Sequence, residues 1–152
     1  VGVVSFDLAR IEVDPAKLRD GVWFKVWQTQ AGTLDGEVCA ADADVPRILV
    51  VPFSAAFERA LEEERRPIIS KVRDRTVTDE ELRVTMGRAL ARATFRGCAN
   101  INVSGAPLQW SEAKAIEVMT DPRWAIFHDF VHLAASQKGA AIKREEEQAK
   151  GN

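Results

Sequence analysis

Thr78-Asp79-Glu80-Glu81-Leu82 has the spelling of a helix start. A hydroxyl at the cap and a carboxylate three residues on satisfy each other's backbone amides. Behind it Leu82, Met86, Ala89, Leu90 and Ala93 fall on one face at helical spacing. Gly97 is placed to end that helix by adopting a positive φ. Working outward, Ser111-Glu112 is a second cap, with an acid in the first turn. Ala115, Ile116 and Met119 follow it as an apolar stripe. Asp121-Pro122 starts a third helix, a cap followed by proline at the first helical position. Ile126, Phe127, Phe130, Val131 and Ala134 give that helix a wide apolar face.

Upstream, Val22 to Gln28 is the clearest strand. Val22, Phe24 and Val26 share one face, and Trp23, Lys25 and Trp27 share the other. The Trp face either packs under the chain's own helices or lies open for a partner. Arg47 to Val51 is a second apolar strand. Between them residues 29–45 read as a loop, with a short strand at residues 37–40. Ser54 caps a helix carrying Phe57, Ala60 and Leu61 inward and a run of Glu and Arg outward, and Pro67 interrupts it. Residues 68–77 fit either a helix or a strand. Residues 100–109 read as a loop pinned by Ile101, Val103 and Leu108. At the N-terminus, residues 3–6 suit a short strand, and Asp14-Pro15 opens one helical turn that stops at Gly21. The reading is an α+β fold: a small N-terminal antiparallel sheet with about four helices, the C-terminal two-thirds mainly helical. Residues 1–137 form one domain. Residues 138–152, with Ile142 their one large apolar side chain, form a charged tail that is partly disordered or a frayed helix.

A chain of 152 residues with a formal net charge of −2 has the length for one core and no overall field drawing it to polyanions. No apolar run approaches the ~18 residues of a membrane span. Val1 to Val4 lack the basic flank and length of a signal peptide. The expected setting is therefore cytoplasmic. Cys39 and Cys98 are expected as free thiols, as two distant cysteines in a cytosolic chain usually are.

Four constellations bear on chemistry. His128 and His132 stand at i and i+4, the spacing of zinc-binding helices. However, Asp129 is too short for the base of a metalloprotease, and spacing supplies no third ligand. The alternative is two histidines at the edge of an amphipathic helix. Cys98 near a helix C-terminus is disfavoured as a thiolate and fits a small buried residue better. The glycines are too scattered for a phosphate loop. Arg83, Arg88, Arg92 and Arg96 form a basic ridge that suits nucleic acid or, without interleaved aromatics, an ion-pairing face. No cofactor and no metal site is expected, and the function class is a non-enzymatic binding protein.

The chain after about Trp23 resembles the tail assembly chaperones of long-tailed phages. The resemblance rests on the order of three motifs: Arg96-Gly97-Cys98-Ala99-Asn100-Ile101, Gln109-Trp110-Ser111-Glu112-Ala113 and Thr120-Asp121-Pro122-Arg123-Trp124. Pro52-Phe53-Ser54-Ala55-Ala56-Phe57, with Leu61 beyond, resembles the family's entry into its first helix. The chain departs from the family at Cys98, where a Trp is expected, and at Ser54-Ala55, where an Asn is frequent. The resemblance implies a protein of the host cytoplasm that is absent from the mature virion. It binds the long helical tape measure protein and helps recruit tail tube subunits, sometimes with a longer frameshifted product. Self-association stays open. Candidate partner-binding residues are Trp23, Trp27, Trp110, Trp124 and Phe127, because aromatic anchors dominate such interfaces. The alternative role is a phage accessory or regulatory protein contacting DNA or another protein through the ridge from Arg83 to Arg96.

Overall fold

The computed structural model describes residues 5–143 of the chain. From the N-terminus these form α1 (Pro15–Asp20), β1 (Val22–Gln28), β2 (Leu34–Val38), β3 (Arg47–Val50), α2 (Ala55–Arg65), α3 (Ile69–Arg73) and α4 (Asp79–Ala93). They continue with β4 (Phe95–Ala99), β5 (Asn102–Val103), β6 (Ala106–Pro107), α5 (Glu112–Thr120) and α6 (Ala125–Ser136). Four antiparallel strands make one sheet in the order β2-β1-β3-β4, and β5 and β6 pair separately. The fold is α+β, with α2, α4, α5 and α6 as the four long helices.

The helix starts follow their local chemistry. Thr78 and Glu81 form the full capping box of α4. Ser54 caps α2 through the Phe57 amide, and Ser111 caps α5 through the Lys114 amide. Asp121 caps a 3-10 turn, Pro122–Trp124, and α6 proper begins one turn later.

Alternation along β1 decides which side of the sheet is buried. Val22, Phe24, Ile48, Val50 and Phe95 face inward and are each at most 4% exposed. Phe130 of α6 presses on the inner face over Gly36, where an added Cβ would stand 2.7 Å from the Phe130 ring. Leu90, Met119 and Val131 complete the buried core.

Several expectations need correction. The first long helix does not run to Gly97. It stops at Ala93, with Thr94 as its cap, and residues 95–99 become an added edge strand. Gly97 has no positive φ. It is small because a Cβ there would meet Leu49 at 3.3 Å and the Trp23 ring at 3.5 Å. The second hairpin strand lies at Leu34–Val38, earlier than residues 37–40. Residues 68–77 contain the short α3, and the loop after Asn100 folds into the β5–β6 hairpin. Of the strand expected at residues 3–6, Ser5 and Phe6 are exposed and in no strand, and Val3 and Val4 lie outside the described residues.

Packed structure also continues past Gln137. Lys138–Ala141 is a 3-10 turn with Ala141 fully buried, Ile142 bridges Val13, and Lys143 pairs with Glu12 at 3.1 Å. The expected frayed tail, from Arg144 on, lies outside the described residues.

Candidate functional site: the outer face of the sheet

The strand period that buries Phe24 turns Trp23, Lys25 and Trp27 to the opposite face. Register then sets their neighbours. Trp23 is paired with Leu49 and Leu49 with Gly97, while Glu37, Lys25, Arg47 and Ala99 form a second row. Asp35 lies beside Trp27. Trp23, Lys25, Arg47 and Leu49 are half-buried, and Trp27 is 42% exposed. The face is therefore open to solvent, in contrast to the buried inner row.

The two Trp rings are four residues apart, ~13 Å along the strand, so they do not stack on each other. Each takes its own cation instead. The Arg47 guanidinium lies 5.1 Å from the Trp23 ring and the Lys25 ammonium 5.8 Å from the Trp27 ring. Arg47 is fixed there by the carbonyls of Ala41 and Ala43, at 2.9 and 2.6 Å, and Lys25 pairs with Glu37. Gly97 leaves room for the tip of the Trp23 ring, which a Cβ there would meet at 3.5 Å. The result is an aromatic and aliphatic surface with charges at fixed positions around it. It offers burial area with two cations set among the rings.

The other candidate residues are placed elsewhere. Trp110 is half-buried between β4 and the start of α5. Its indole N–H donates to the Phe95 carbonyl at 3.1 Å, and Arg96 covers the ring at 4.8 Å. That is an anchor within the chain. Trp124 and Phe127 line a cavity of about 140 Å³ with Ile101, Val103 and Leu108, under the β5–β6 hairpin. Phe127 also meets Phe95 edge-on at 5.4 Å. The five aromatics thus fall into three places: Trp23 and Trp27 on the outer face of the sheet, Trp124 and Phe127 on one cavity, and Trp110 by itself.

His128 is buried and its Nδ1 donates to the Met119 carbonyl at 3.0 Å, which makes it a clamp between α5 and α6. His132 stacks edge-on against Phe53. Among the described residues no group of three His, Cys, Asp or Glu side chains is placed to hold a metal ion. Neither Cys39 nor Cys98 is in a disulfide. Cys98 donates to the Leu108 carbonyl, and burial pushes its thiol pKa up, away from the reactive range.

The arginine ridge is engaged internally. Arg88 pairs with Glu64, Arg92 with Glu63 and Glu64, and Arg83 with Glu80. Arg96 donates to the carbonyls of Ala91 and Arg92 at the end of α4. The guanidiniums that would meet phosphates are already matched by carboxylates of α2 and α4. No helix among the described residues is long and apolar enough to cross a membrane.

Comparison with protein-family models, with curated proteins and with solved structures found no match.

Leu49, Gly97 and Arg47 complete the open face, and reading the chain alone missed them. They are placed by the β3–β4 pairing, which the helical reading of residues 94–97 concealed. Simple alternation could not have announced it, because an irregularity in the pairing at Leu49/Val50 puts Phe95 on the inner face and Gly97 and Ala99 on the outer one.

Proposed function

We propose that this chain is a tail assembly chaperone of a long-tailed phage. It is a non-enzymatic protein that holds the tape measure protein in solution and helps bring tail tube subunits to it in the host cytoplasm. The observation that carries the reading is the open sheet face with Trp23, Leu49 and Trp27, a surface suited to an apolar helix. The motif order from Arg96 to Trp124 supports it independently. A chaperone of this kind needs area without chemistry, and the face offers indole and aliphatic surface with cations pinned around it.

The test is co-expression with a segment of the tape measure protein encoded beside it. Trp27→Ala, and Trp23→Ala with Trp27→Ala, are compared with the unaltered chain. Both variants are expected to fold, because the inner face still seats the sheet, and to leave the segment insoluble. Burial of each ring on the partner is worth about 2 kcal/mol, so the double variant should bind several hundred-fold more weakly. A folded double variant that still holds the segment in solution sinks the proposal.

A further inference from the structure

The β5–β6 hairpin is fastened at its base. Asn100 sits at a φ of 60°, and its side-chain amide donates to the Val45 carbonyl at 3.1 Å. The Leu108 N–H donates to the Ile101 carbonyl at 2.8 Å, and the Leu108 carbonyl accepts from the Cys98 thiol. Beyond that base the two strands pair only through Asn102 with Pro107 and Val103 with Ala106. Ser104 and Gly105, both at positive φ, make the turn. The hairpin is thus a short projection on a fixed root, and the space between it and the start of α6 is not filled.

That space is the cavity of about 140 Å³. Its walls are Ile101, Val103 and Leu108 on the hairpin side and Trp124 and Phe127 on the other. Leu108 is buried and the other four are half-buried. Asn102 and Ser104, the polar members of the lining, are exposed, so the cavity meets solvent beside them. No lining side chain carries a charge, which disfavours an ion as the guest. Arg123, whose guanidinium lies 5.3 Å from the Trp124 ring, is already paired with Asp121. Size restricts the guest further. Sites for drug-sized molecules run from ~300 to ~1,000 Å³, whereas an engineered cavity of ~150 Å³ with Leu, Ile and Phe walls takes up benzene or xenon.

We propose that this cavity binds one apolar group of about six carbons, an aromatic ring or a branched aliphatic chain, and that the guest braces the hairpin against α6. Walls that face a void lack contact partners on one side, and an apolar guest restores those contacts. A polar substituent on the guest stays in water beside Asn102 and Ser104. Six apolar atoms make a weak site, with a Kd on the order of 1 mM. The same group can arrive as a free molecule or on the side chain of a polypeptide, and the experiment separates the two. This inference is independent of the tape measure reading, since no residue of the lining lies on the outer face of the sheet.

The full chain, with the methyl groups of Ile, Leu and Val labelled with carbon-13, is titrated with benzene and followed by NMR. The expected result is saturable shifts at Ile101, Val103 and Leu108, while the methyls of Ile48, Val50 and Leu90 in the closed core stay in place. The melting temperature should rise with benzene concentration, as binding to the native state alone requires. Val103→Phe puts a ring into the cavity and should abolish the shifts at Ile101 and Leu108. The shift map of the unaltered chain decides the matter even where that variant does not fold. A second titration uses N-acetylphenylalaninamide. Shifts at the same methyls support the site with a polypeptide side chain as the source, and a response to benzene alone supports it with a free molecule. Shifts that grow without saturating, shifts spread evenly over the core, or a folded Val103→Phe that responds as before would each overturn the proposal.

Discussion

Gly87 lies in the middle of α4, where any other residue would raise helix propensity. Ala in place of Gly normally stabilises a helix by ~1 kcal/mol. Here the Met119 carbonyl of α5 occupies the space of a Cβ, with the His128 ring at 3.4 Å. Backbone cannot give way as a side-chain tip can. Gly87→Ala is therefore expected to lower stability by about 1–3 kcal/mol, the cost of overpacking, and to lower the melting temperature. A rise in melting temperature would show that α4 and α5 are not pressed together there. Gly97→Val should also destabilise, though not through backbone conformation. It should displace Leu49 and Trp23 and change the tryptophan fluorescence along with the melt. The residues legible in the sequence were those whose role is local. Thr78, Glu81, Ser54 and Ser111 cap their own helices and were read correctly, whereas Asp121 caps only the 3-10 turn that leads into α6. Gly36, Gly87 and Gly97 are small because of Phe130, Met119 and Trp23, and nothing within a few residues of each glycine announces that.

At the level of elements, α2 and α4 are joined by apolar packing and by a carboxylate–guanidinium seam. A hydrogen bond from Arg92, then its charge, holds the Glu63 carboxyl below its ordinary pKa. Arg83 does the same for Glu80, Lys71 for Glu81, and Arg123 for Asp121. A carboxylate whose pKa is lowered by folding contributes stability above its unfolded value and loses it as pH falls through the folded value. The melting temperature is thus expected to be level from neutral pH to about 5 and to fall steadily below that. Arg92→Gln should flatten part of the fall, and salt should reduce it, because these pairs are exposed. An unchanged pH profile in Arg92→Gln would mean the seam carries no net stability. The type of the long elements followed from periodicity, since one apolar stripe or one alternation is enough to show it. Element ends were less legible. Residues 94–97 continued the arginine spacing of α4, yet the unpaired edge of β3 draws them into the sheet. Tertiary pairing outweighed local pattern there, and the same omission hid half of the open face. Lys25 over Trp27, by contrast, followed directly from alternation.

At the scale of the whole molecule, the first and last described segments close on each other. The Asp14 backbone N–H donates to the Ala141 carbonyl at 2.8 Å, the Lys143 backbone N–H donates to the Glu12 carbonyl at 2.9 Å, and Ala141 is fully buried. A chain cut after Gln137 loses all of these at once, and its stability should fall by more than about 1 kcal/mol in a denaturant titration. An unchanged midpoint would mean that the N-terminal turn and α1 rest on the core without that support. The strand order β2-β1-β3-β4 has a further consequence, in time. The first three strands come from the opening third of the chain, but the fourth begins only at Phe95. During synthesis at ~5–20 residues per second, β3 emerges several seconds before the strand that completes it. Throughout that interval Arg47-Ile48-Leu49-Val50 presents an open row of amides and carbonyls beside two aliphatic faces. A nascent chain is then most vulnerable to pairing with a neighbour on the same message, and a product ended before Phe95 would keep that vulnerability permanently.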